Sequence, residues 1–437
     1  MLKAGFARLD VTPPLGSELA GYFSVRLAEG ILDPIYLNAV AIGNGEDTII
    51  IITSDFLSVM EVFATRIRNL IADATGVRAD HIMITALHQH TSIRLGVWPW
   101  TGNMEDEQYL NILYRKYVDV ARLAIRDMSD ARLHTAVQET REPVSFIRRF
   151  KMRDGSTVTN PGKLNPDIDH PIGEADNNVR LVRFVRDGRR DIALVNFSTH
   201  PDVIGGKLFS ADWPGFVRSF VEQDIPDTHC LVVNGAQGDT NHINTATAEK
   251  QTGCEHSRHM GRVIADTVAD MWNKTRPHFG SRIFSEIRMV FSPTNTDGFD
   301  RVEECRKLDE DYWAGRLDGP DKPNATVMGE ARRIKNLPYE TICQKIPVTV
   351  MAVGDVAFVG YGGEPFTEYA TRSRAMAPDM TVITCGLANG QQGYLPTKSA
   401  FLEGGYEARS SRFTPALPDE LIGAAAEMLD KYKICKE

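Results

Sequence analysis

The chain has 437 residues, of which 42% are hydrophobic and 24% charged, and this composition is that of an ordinary globular protein. Its net charge is −9, from 49 basic and 58 acidic residues, so nucleic-acid phosphates and anionic lipid surfaces would repel it. We therefore expect a small-molecule substrate, no nucleic-acid partner and no membrane partner, and we leave homo-oligomerisation open. No apolar run approaches the roughly 20 residues that a membrane-spanning helix needs.

The first residues, Met-Leu-Lys-Ala-Gly-Phe-Ala, show no positively charged start that leads into an apolar stretch with a small-residue cleavage site. The six cysteines are scattered, with no Cys-x-x-Cys pair, which is typical of free thiols rather than of a disulfide framework. Both features predict a cytoplasmic protein.

Short β-rich runs alternate with segments of helical periodicity along the chain. We predict, in chain order, strand Thr48–Thr53, helix Glu61–Thr75, strand His81–Leu87, helix Asp106–Met128, strand Asp191–Phe197, helix Trp213–Gln223, strand Cys230–Val233, helix Glu255–Lys274, strands Val348–Val353, Val356–Gly360 and Thr381–Thr384, and helix Asp419–Lys433. The alternation predicts an α/β fold with mixed β-sheets flanked by helices.

Two stretches interrupt this alternation. Phe150–Asn178 is rich in Gly, Pro, Asn and Asp, and we expect it to be a long functional loop that borders the site. Arg301–Asn336 is highly charged and contains a predicted helix and a turn at 319–324. We interpret it as a solvated surface insertion, with a lid or an oligomer contact as alternatives. Residues 1–437 are otherwise expected to form one catalytic domain.

The polar side chains best suited to chemistry fall directly after five predicted strands, in Gly-rich turns. They are His88 with His90, His200, Asp239 with Asn241 and His242, Glu364, and Tyr394. Open α/β sheets bind ligands beyond the carboxyl ends of their strands, so we expect these side chains to converge. Neutral imidazole and carboxylate together favour Zn2+ over Mg2+ or Ca2+, which prefer all-oxygen ligands.

Five ordered segments resemble the neutral (non-lysosomal) ceramidase family. They are the opening Ala4-Gly-Phe-Ala-Arg-Leu-Asp-Val-Thr12-Pro-Pro, His88-Gln-His90-Thr-Ser, Asn196-Phe-Ser-Thr-His200-Pro, Gly363-Glu364-Pro-Phe-Thr367, and Tyr394-Leu-Pro-Thr397 with Gly405-Tyr406-Glu407. They run in the family's order over nearly the whole chain. The resemblance implies a neutral-ceramidase-like catalytic domain, and we expect a divergent bacterial branch of the family.

The resemblance also implies an activity and a set of functional residues. The activity is a zinc-dependent amide hydrolysis. The implied metal ligands are His88, His200, Glu364 and Tyr394. His90 is expected to line the same site, and Arg148 or Arg149 to correspond to an arginine in the family's substrate-binding segment.

Three departures from the family pattern bear on the substrate. Asn241 stands where the family's proposed catalytic serine would be. The chain ends near residue 437, so we expect the family's C-terminal β-sandwich domain to be absent, and no secretory leader is visible. We therefore expect a small, polar substrate in place of ceramide.

With no serine in place, we expect a metal-activated water to attack the substrate. His90 is the first choice for moving the proton, and Asp239 and His242 are the alternatives. Asp239 could instead hold a turn or orient a metal-binding histidine, and Asn241 could serve as an oxyanion donor. The alternative function is a carbohydrate-directed hydrolase that cleaves a glycosidic or N-acyl-sugar bond at the same metal site.

Overall fold

The computed structural model describes residues 1–96, 107–317 and 322–434. The strands of its first half are β1 (Lys3–Asp10), β2 (Gly30–Ile31), β3 (Tyr36–Gly43), β4 (Thr48–Ser54), β5 (Ser58–Val59), β6 (Ile82–Ala86), β7 (Arg94–Leu95), β8 (Ser129–Glu139), β9 (Phe146–Ile147), β10 (Arg149–Met152), β11 (Thr157–Thr159), β12 (Ile168–Pro171), β13 (Asn178–Arg186), β14 (Asp191–Phe197) and β15 (Leu208–Phe209). Those that follow are β16 (Thr228–Asn234), β17 (Thr240–Asn241), β18 (Arg276–His278), β19 (Ile283–Pro293), β20 (Cys343–Val353), β21 (Val356–Tyr361), β22 (Glu364–Pro365), β23 (Thr381–Cys385) and β24 (Tyr394–Leu395).

The α-helices alternate with these strands. They are α1 (Glu61–Thr75), α2 (Glu107–Arg126), α3 (Asp212–Asp224), α4 (Cys254–Met271), α5 (Val302–Trp313), α6 (Ala325–Asn336), α7 (Thr367–Ala375), α8 (Lys398–Glu403), α9 (Tyr406–Ser410) and α10 (Leu417–Ile434). Within the described ranges, none of them is both long and apolar enough to cross a membrane.

Two sheets lie at the centre of the fold. The larger has the strand order β16-β14-β13-β8-β1-β3-β4-β6, with β18 paired to β8, and the smaller has the order β19-β20-β21-β23. Both are mixed, because β4 and β6, β14 and β16, and β21 and β23 run parallel while their other neighbours run antiparallel. The predicted architecture of mixed sheets flanked by helices is confirmed.

The isoleucine run of β4 explains how the layers stack. Side chains alternate between the faces of a strand. Ile50 and Ile52 accordingly pack with α1 and α2, whereas Ile49 and Ile51 pack against the smaller sheet through Met351 and other side chains. A strand that is buried on both faces reads as a continuous apolar run. The fold thus has four layers, in the order helices α1 to α4, the larger sheet, the smaller sheet and the helix α10.

Buried polar side chains join the two sheets near the carboxyl ends of their parallel strands. The Nδ2 of Asn196 donates to the carbonyl oxygens of Val233 and Thr384, both at 3.0 Å. The Oδ1 of Asn389 accepts the backbone N–H of Ile84 at 3.0 Å. A buried backbone group left without a partner is costly, so these bonds fix the relative position of the two sheets.

The predicted strands and helices occur within a few residues of their expected bounds, although Asp106 lies outside the described residues. The expected loop at Phe150–Asn178 is wrong, because β10, β11 and β12 form a three-stranded sheet within it. The charged stretch Arg301–Asn336 forms the two helices α5 and α6, and its residues 318–321 lie outside the described ranges. The assignment of 1–437 to one catalytic domain stays a prediction.

A buried ion pair links α3 to the end of β4. The guanidinium of Arg218 donates to both carboxylate oxygens of Asp55 at 2.7 and 2.6 Å, and the side chains are 4% and 0% exposed. Arg218→Met should lower the free energy of unfolding by about 3–5 kcal/mol, because it leaves a buried carboxylate without its cation. Urea denaturation measures the change, and Arg132→Met, which breaks an exposed pair with Asp187, serves as the control. Similar small losses in both variants would contradict the prediction.

Candidate functional site

The first two histidines of the site follow β6. The strand ends at Ala86 and does not continue through them, since His88 adopts a left-handed backbone conformation with φ of 77°. That conformation is uncommon for a residue other than glycine and marks a position held by its surroundings. The rings of His88 and His90 nevertheless lie side by side, with centroids 5.1 Å apart.

His88 and His200 are oriented in the same way by backbone carbonyls. The Nδ1 of His88 lies 2.8 Å from the carbonyl oxygen of Leu57, and that of His200 lies 2.9 Å from the carbonyl oxygen of Gln237. A carbonyl oxygen only accepts, so Nδ1 carries the proton of each neutral ring, and Nε2 is then the atom that presents a lone pair. This arrangement is typical of metal-binding histidines.

The carboxylate of Glu364 meets both lone pairs. Its Oε2 lies 3.2 Å from Nε2 of His88 and 3.5 Å from Nε2 of His200, while its Oε1 accepts from Nε2 of Gln391 at 2.8 Å. A glutamate carboxylate is ordinarily ionised at pH 7, and the amide N–H that Gln391 donates to it favours this charged form.

Tyr394 stands next to Glu364 because the short parallel strands β22 and β24 pair these two residues directly. Its ring also stacks with that of His200, at a centroid distance of 6.5 Å. Burial, followed by the nearby carboxylate of Glu364, raises the pKa of Tyr394 well above its usual value. The structure thus brings all four predicted ligands to one place.

The convergence of these groups fits a metal ion. Two nitrogen lone pairs face one carboxylate oxygen, and Nε2 of His200 and Oε2 of Glu364 are buried without a hydrogen-bond partner among the described residues. Such an arrangement is repulsive unless a cation lies between the groups. Ligand atoms of His88, His90 and His200 also lie within 4.8 Å of one another.

His90 belongs to the same cluster. Both of its ring nitrogens are buried and lack a hydrogen-bond partner within the described ranges. Burial and the neighbouring His88 lower the pKa of His90 to about 3, so its imidazole is neutral at pH 7. A Cβ atom on Gly21 would lie 2.7 Å from this ring, so a side chain larger than glycine's would displace it. No role for Gly21 was predicted, because the contact joins distant segments.

Arg148 packs against Tyr394, and neither Arg148 nor Arg149 is part of the cavity lining. The Nε of Arg148 is 2.8 Å from Oε1 of the fully buried Glu407, and the guanidinium lies 5.2 Å from the centre of the Tyr394 ring. Arg149 donates to the carbonyl oxygen of Gly404 at 2.9 Å. The contact of Arg148 supports the tyrosine, and a role of either arginine in substrate binding stays a prediction. No role was predicted for Glu407.

Asp239 holds the start of α7. Its Oδ1 accepts the backbone N–H of Thr367 and its Oδ2 accepts the hydroxyl, both at 2.9 Å. The N-terminal N–H groups of a helix lack partners within the helix, so this contact satisfies one of them. Burial raises the pKa of Asp239 to about 6. Of its two expected roles, these contacts match the structural one.

Asn241 and His242 are also buried and do not line the cavity. The Nδ2 of Asn241 donates to Oδ1 of Asn160 at 2.7 Å, and its Oδ1 accepts the backbone N–H of Ile243. The Nδ1 of His242 lies 3.1 Å from Oδ1 of Asp202. Catalytic roles for Asn241 and His242 stay predictions.

A cavity of about 740 Å³ opens next to the histidine cluster, and His88, His90, Glu364 and Tyr394 form part of its lining. Helices α5 and α6 line it as well, through Trp313, Arg332 and neighbouring side chains. The charged stretch Arg301–Asn336 thus includes side chains that border the cavity, and its interpretation as a solvated surface insertion stays a prediction. Among the described residues, none between 150 and 178 lines this cavity, although Asn160 contacts the predicted site residue Asn241, and the expected border stays a prediction.

The raised pKa of Asp239 predicts a pH-dependent stability. Its pKa is about 6 in the folded protein against an ordinary 3.8, so between these values the folded state holds a proton that the unfolded state releases. Stability should therefore fall as the pH rises through this window, by about 1–3 kcal/mol. Asp239→Asn cannot titrate and should lose this slope, which urea unfolding at several pH values measures. An unchanged slope would show that Asp239 is ionised throughout.

No family model and no curated protein sequence matches the chain. Solved structures do match it. The crystal structure of neutral ceramidase from Pseudomonas aeruginosa superposes with a TM-score of 0.74 and 17% sequence identity, covering 98% of this chain and 74% of that one. A ceramidase complexed with C2 gives a TM-score of 0.75 and 16% identity, covering 99% and 75%. At these identities the likeness shows the fold, and this chain has the fold of the neutral ceramidases.

Proposed function

We propose that the protein is a zinc-dependent amidohydrolase that cleaves an N-acyl bond in a small, polar substrate. The observation that carries the proposal is the convergence of His88, His200 and Glu364 on one point beside the cavity. Two imidazoles, a carboxylate and a phenol form a donor set that suits Zn2+ better than cations preferring all-oxygen ligands.

Each group of the site has a distinct task in the proposed reaction. When bound, zinc supplies Lewis acidity, which polarises a carbonyl group and makes water a stronger acid. His88, His200, Glu364 and Tyr394 would hold the ion. The imidazole of His90 would take a proton from the attacking water and release it to the leaving amine as the C–N bond breaks.

The surroundings of the cavity support a polar substrate. Charged side chains of α6, among them Arg332, Arg333 and Lys335, line it together with aromatic rings. Desolvating charged groups against acyl chains is costly, so this lining disfavours a substrate with two long alkyl chains. The fold shared with proteins named as ceramidases supports amide chemistry. A glycosidic or N-acyl-sugar bond is the alternative, and the substrate panel below includes it.

Metal analysis tests the proposed zinc centre. The purified protein, dialysed against Zn2+ and then freed of excess ion, should contain one zinc per chain. His200→Ala should lose both the ion and the activity, because removing one of four ligands opens the site. His259→Ala is the matched control, since that histidine is half exposed and pairs with Glu142 away from the cavity. Equal zinc in wild type and His200→Ala would contradict the proposal.

A substrate panel tests the proposed bond and polarity. We expect kcat/KM on short N-acyl amino acids to exceed that on a long-chain ceramide in detergent by at least about 100-fold, because charged groups would have to be desolvated against the acyl chains. N-acyl sugars and aryl glycosides complete the panel, with a chelator as the control for metal dependence. A clear preference for ceramide would refute the polar substrate, and cleavage of glycosides alone would refute the amide.

A further inference from the structure

The lining of the cavity has the opposite sign of charge to the chain as a whole. The chain carries a net −9, yet the side chains that line the cavity include more cations than carboxylates. The cations are Arg94, Arg306, Arg332, Arg333, Lys335 and Arg412, and the carboxylates are Glu18, Glu310, Glu340 and Glu364. Glu364 belongs to the metal centre, so the rest of the cavity is clearly cationic.

On α6 the protein's own carboxylates only partly balance these charges. Asp309 serves two cations at once, since it accepts from Nε of Arg332 at 3.0 Å and also pairs with Lys335. Arg333 is buried and donates to backbone carbonyl oxygens, including that of Asn295. Among the described residues it has no carboxylate within 4.0 Å. Burial lowers the pKa of both arginines, so the charges cost free energy that an anion in the cavity would offset.

Arg412 adds a third cation beside Arg333. The two are neighbours, because Asn295 accepts from the guanidinium of Arg333 and donates its N–H to the carbonyl oxygen of Arg412. Glu340 binds Arg412 through one terminal nitrogen only. The Nε of Arg412 is buried and has no hydrogen-bond partner within the described ranges. A guanidinium has five N–H donors, so this group retains capacity for a second carboxylate.

We propose that Arg332, Arg333 and Arg412 form an anion subsite, which binds a carboxylate that the substrate carries apart from its scissile amide. The inference rests on the proposed function, and it narrows the substrate class to N-acyl amino acids and related N-acyl carboxylates. Arginine suits this role because its planar N–H groups match a carboxylate. A cationic cavity in an acidic chain also concentrates anionic ligands at that one place.

The experiment compares two substrates that share the scissile acetamide. N-acetylphenylalanine carries the carboxylate, and N-acetylphenethylamine lacks it but is otherwise the same. We expect kcat/KM for the first to be at least about tenfold higher, the size expected for one charge-assisted hydrogen bond. The advantage should shrink as salt is added, because ions screen the attraction. Equal values for the two substrates would overturn the subsite.

Two variants change the subsite in opposite directions. Arg412→Gln should raise KM for N-acetylphenylalanine about tenfold, through the loss of a charge-assisted contact, and leave N-acetylphenethylamine unaffected. Glu340→Gln should lower KM for N-acetylphenylalanine, because it removes the competing carboxylate from Arg412. Arg409→Gln is the matched control, since Arg409 is exposed and pairs with Glu330 outside the cavity. Equal losses on both substrates would show a structural effect and overturn the proposal.

Binding measurements separate this inference from the proposed function. Calorimetry gives the affinity of each compound for the zinc-loaded wild type and for Arg412→Gln, whether or not the amide is cleaved. Stronger binding of N-acetylphenylalanine that Arg412→Gln abolishes supports the subsite, even if no acetate is released and the hydrolase proposal fails. Release of acetate from both compounds with equal affinities supports the hydrolase and overturns the subsite. Failure of the wild type to bind either compound also overturns it.

Discussion

The arrangement of the site depends on one electrostatic constraint, which is that two imidazole lone pairs face a charged, buried carboxylate oxygen. His88 and His200 each use Nδ1 to donate to a carbonyl, so neither ring can turn its proton toward Glu364. In a low-dielectric interior such a convergence is costly without a cation. The fold maintains it, and even places His88 in a left-handed conformation to do so. The buried donor groups of this site could therefore hold a metal ion.

The two sheets make that arrangement rigid. His88 and His200 follow strands of the larger sheet, whereas Glu364 and Tyr394 lie in β22 and β24, which follow strands of the smaller one. A shift of one sheet against the other would pull the two pairs apart. The bonds of Asn196 and Asn389 oppose such a shift at the end of the sheets where the site lies. The relative position of the predicted ligands therefore depends on how the two sheets pack. The buried amides of Asn196 and Asn389 fix that packing next to the site.

Local patterns in the sequence predicted the parts of the structure that local physics determines. The isoleucine run of β4 and the periodicity of α1 depend on neighbours in the chain, and polar residues after strands meet because of the sheet. Such local patterns cannot predict contacts between residues that lie far apart in the sequence. Nothing near Asp239 in the sequence reveals Thr367 as its partner, 128 residues away. Charge alone suggested exposure for 301–336, whereas pairing with Asp309 lets Arg332 and Lys335 line a cavity.

The predicted metal ligands and much of the cavity lining come from different parts of the chain, and this separation bears on how far the fold can predict the substrate. The predicted ligands follow strands of the two sheets, which are the elements that a shared fold preserves. Much of the cavity lining comes from α5 and α6, which pack together through Asp309 and contribute none of the predicted metal ligands. Replacing such helices would change the lining without moving His88 or Glu364. A shared fold therefore bears on the proposed chemistry at the histidine cluster, whereas the proposed substrate has to be inferred from the cations of this chain's own helices.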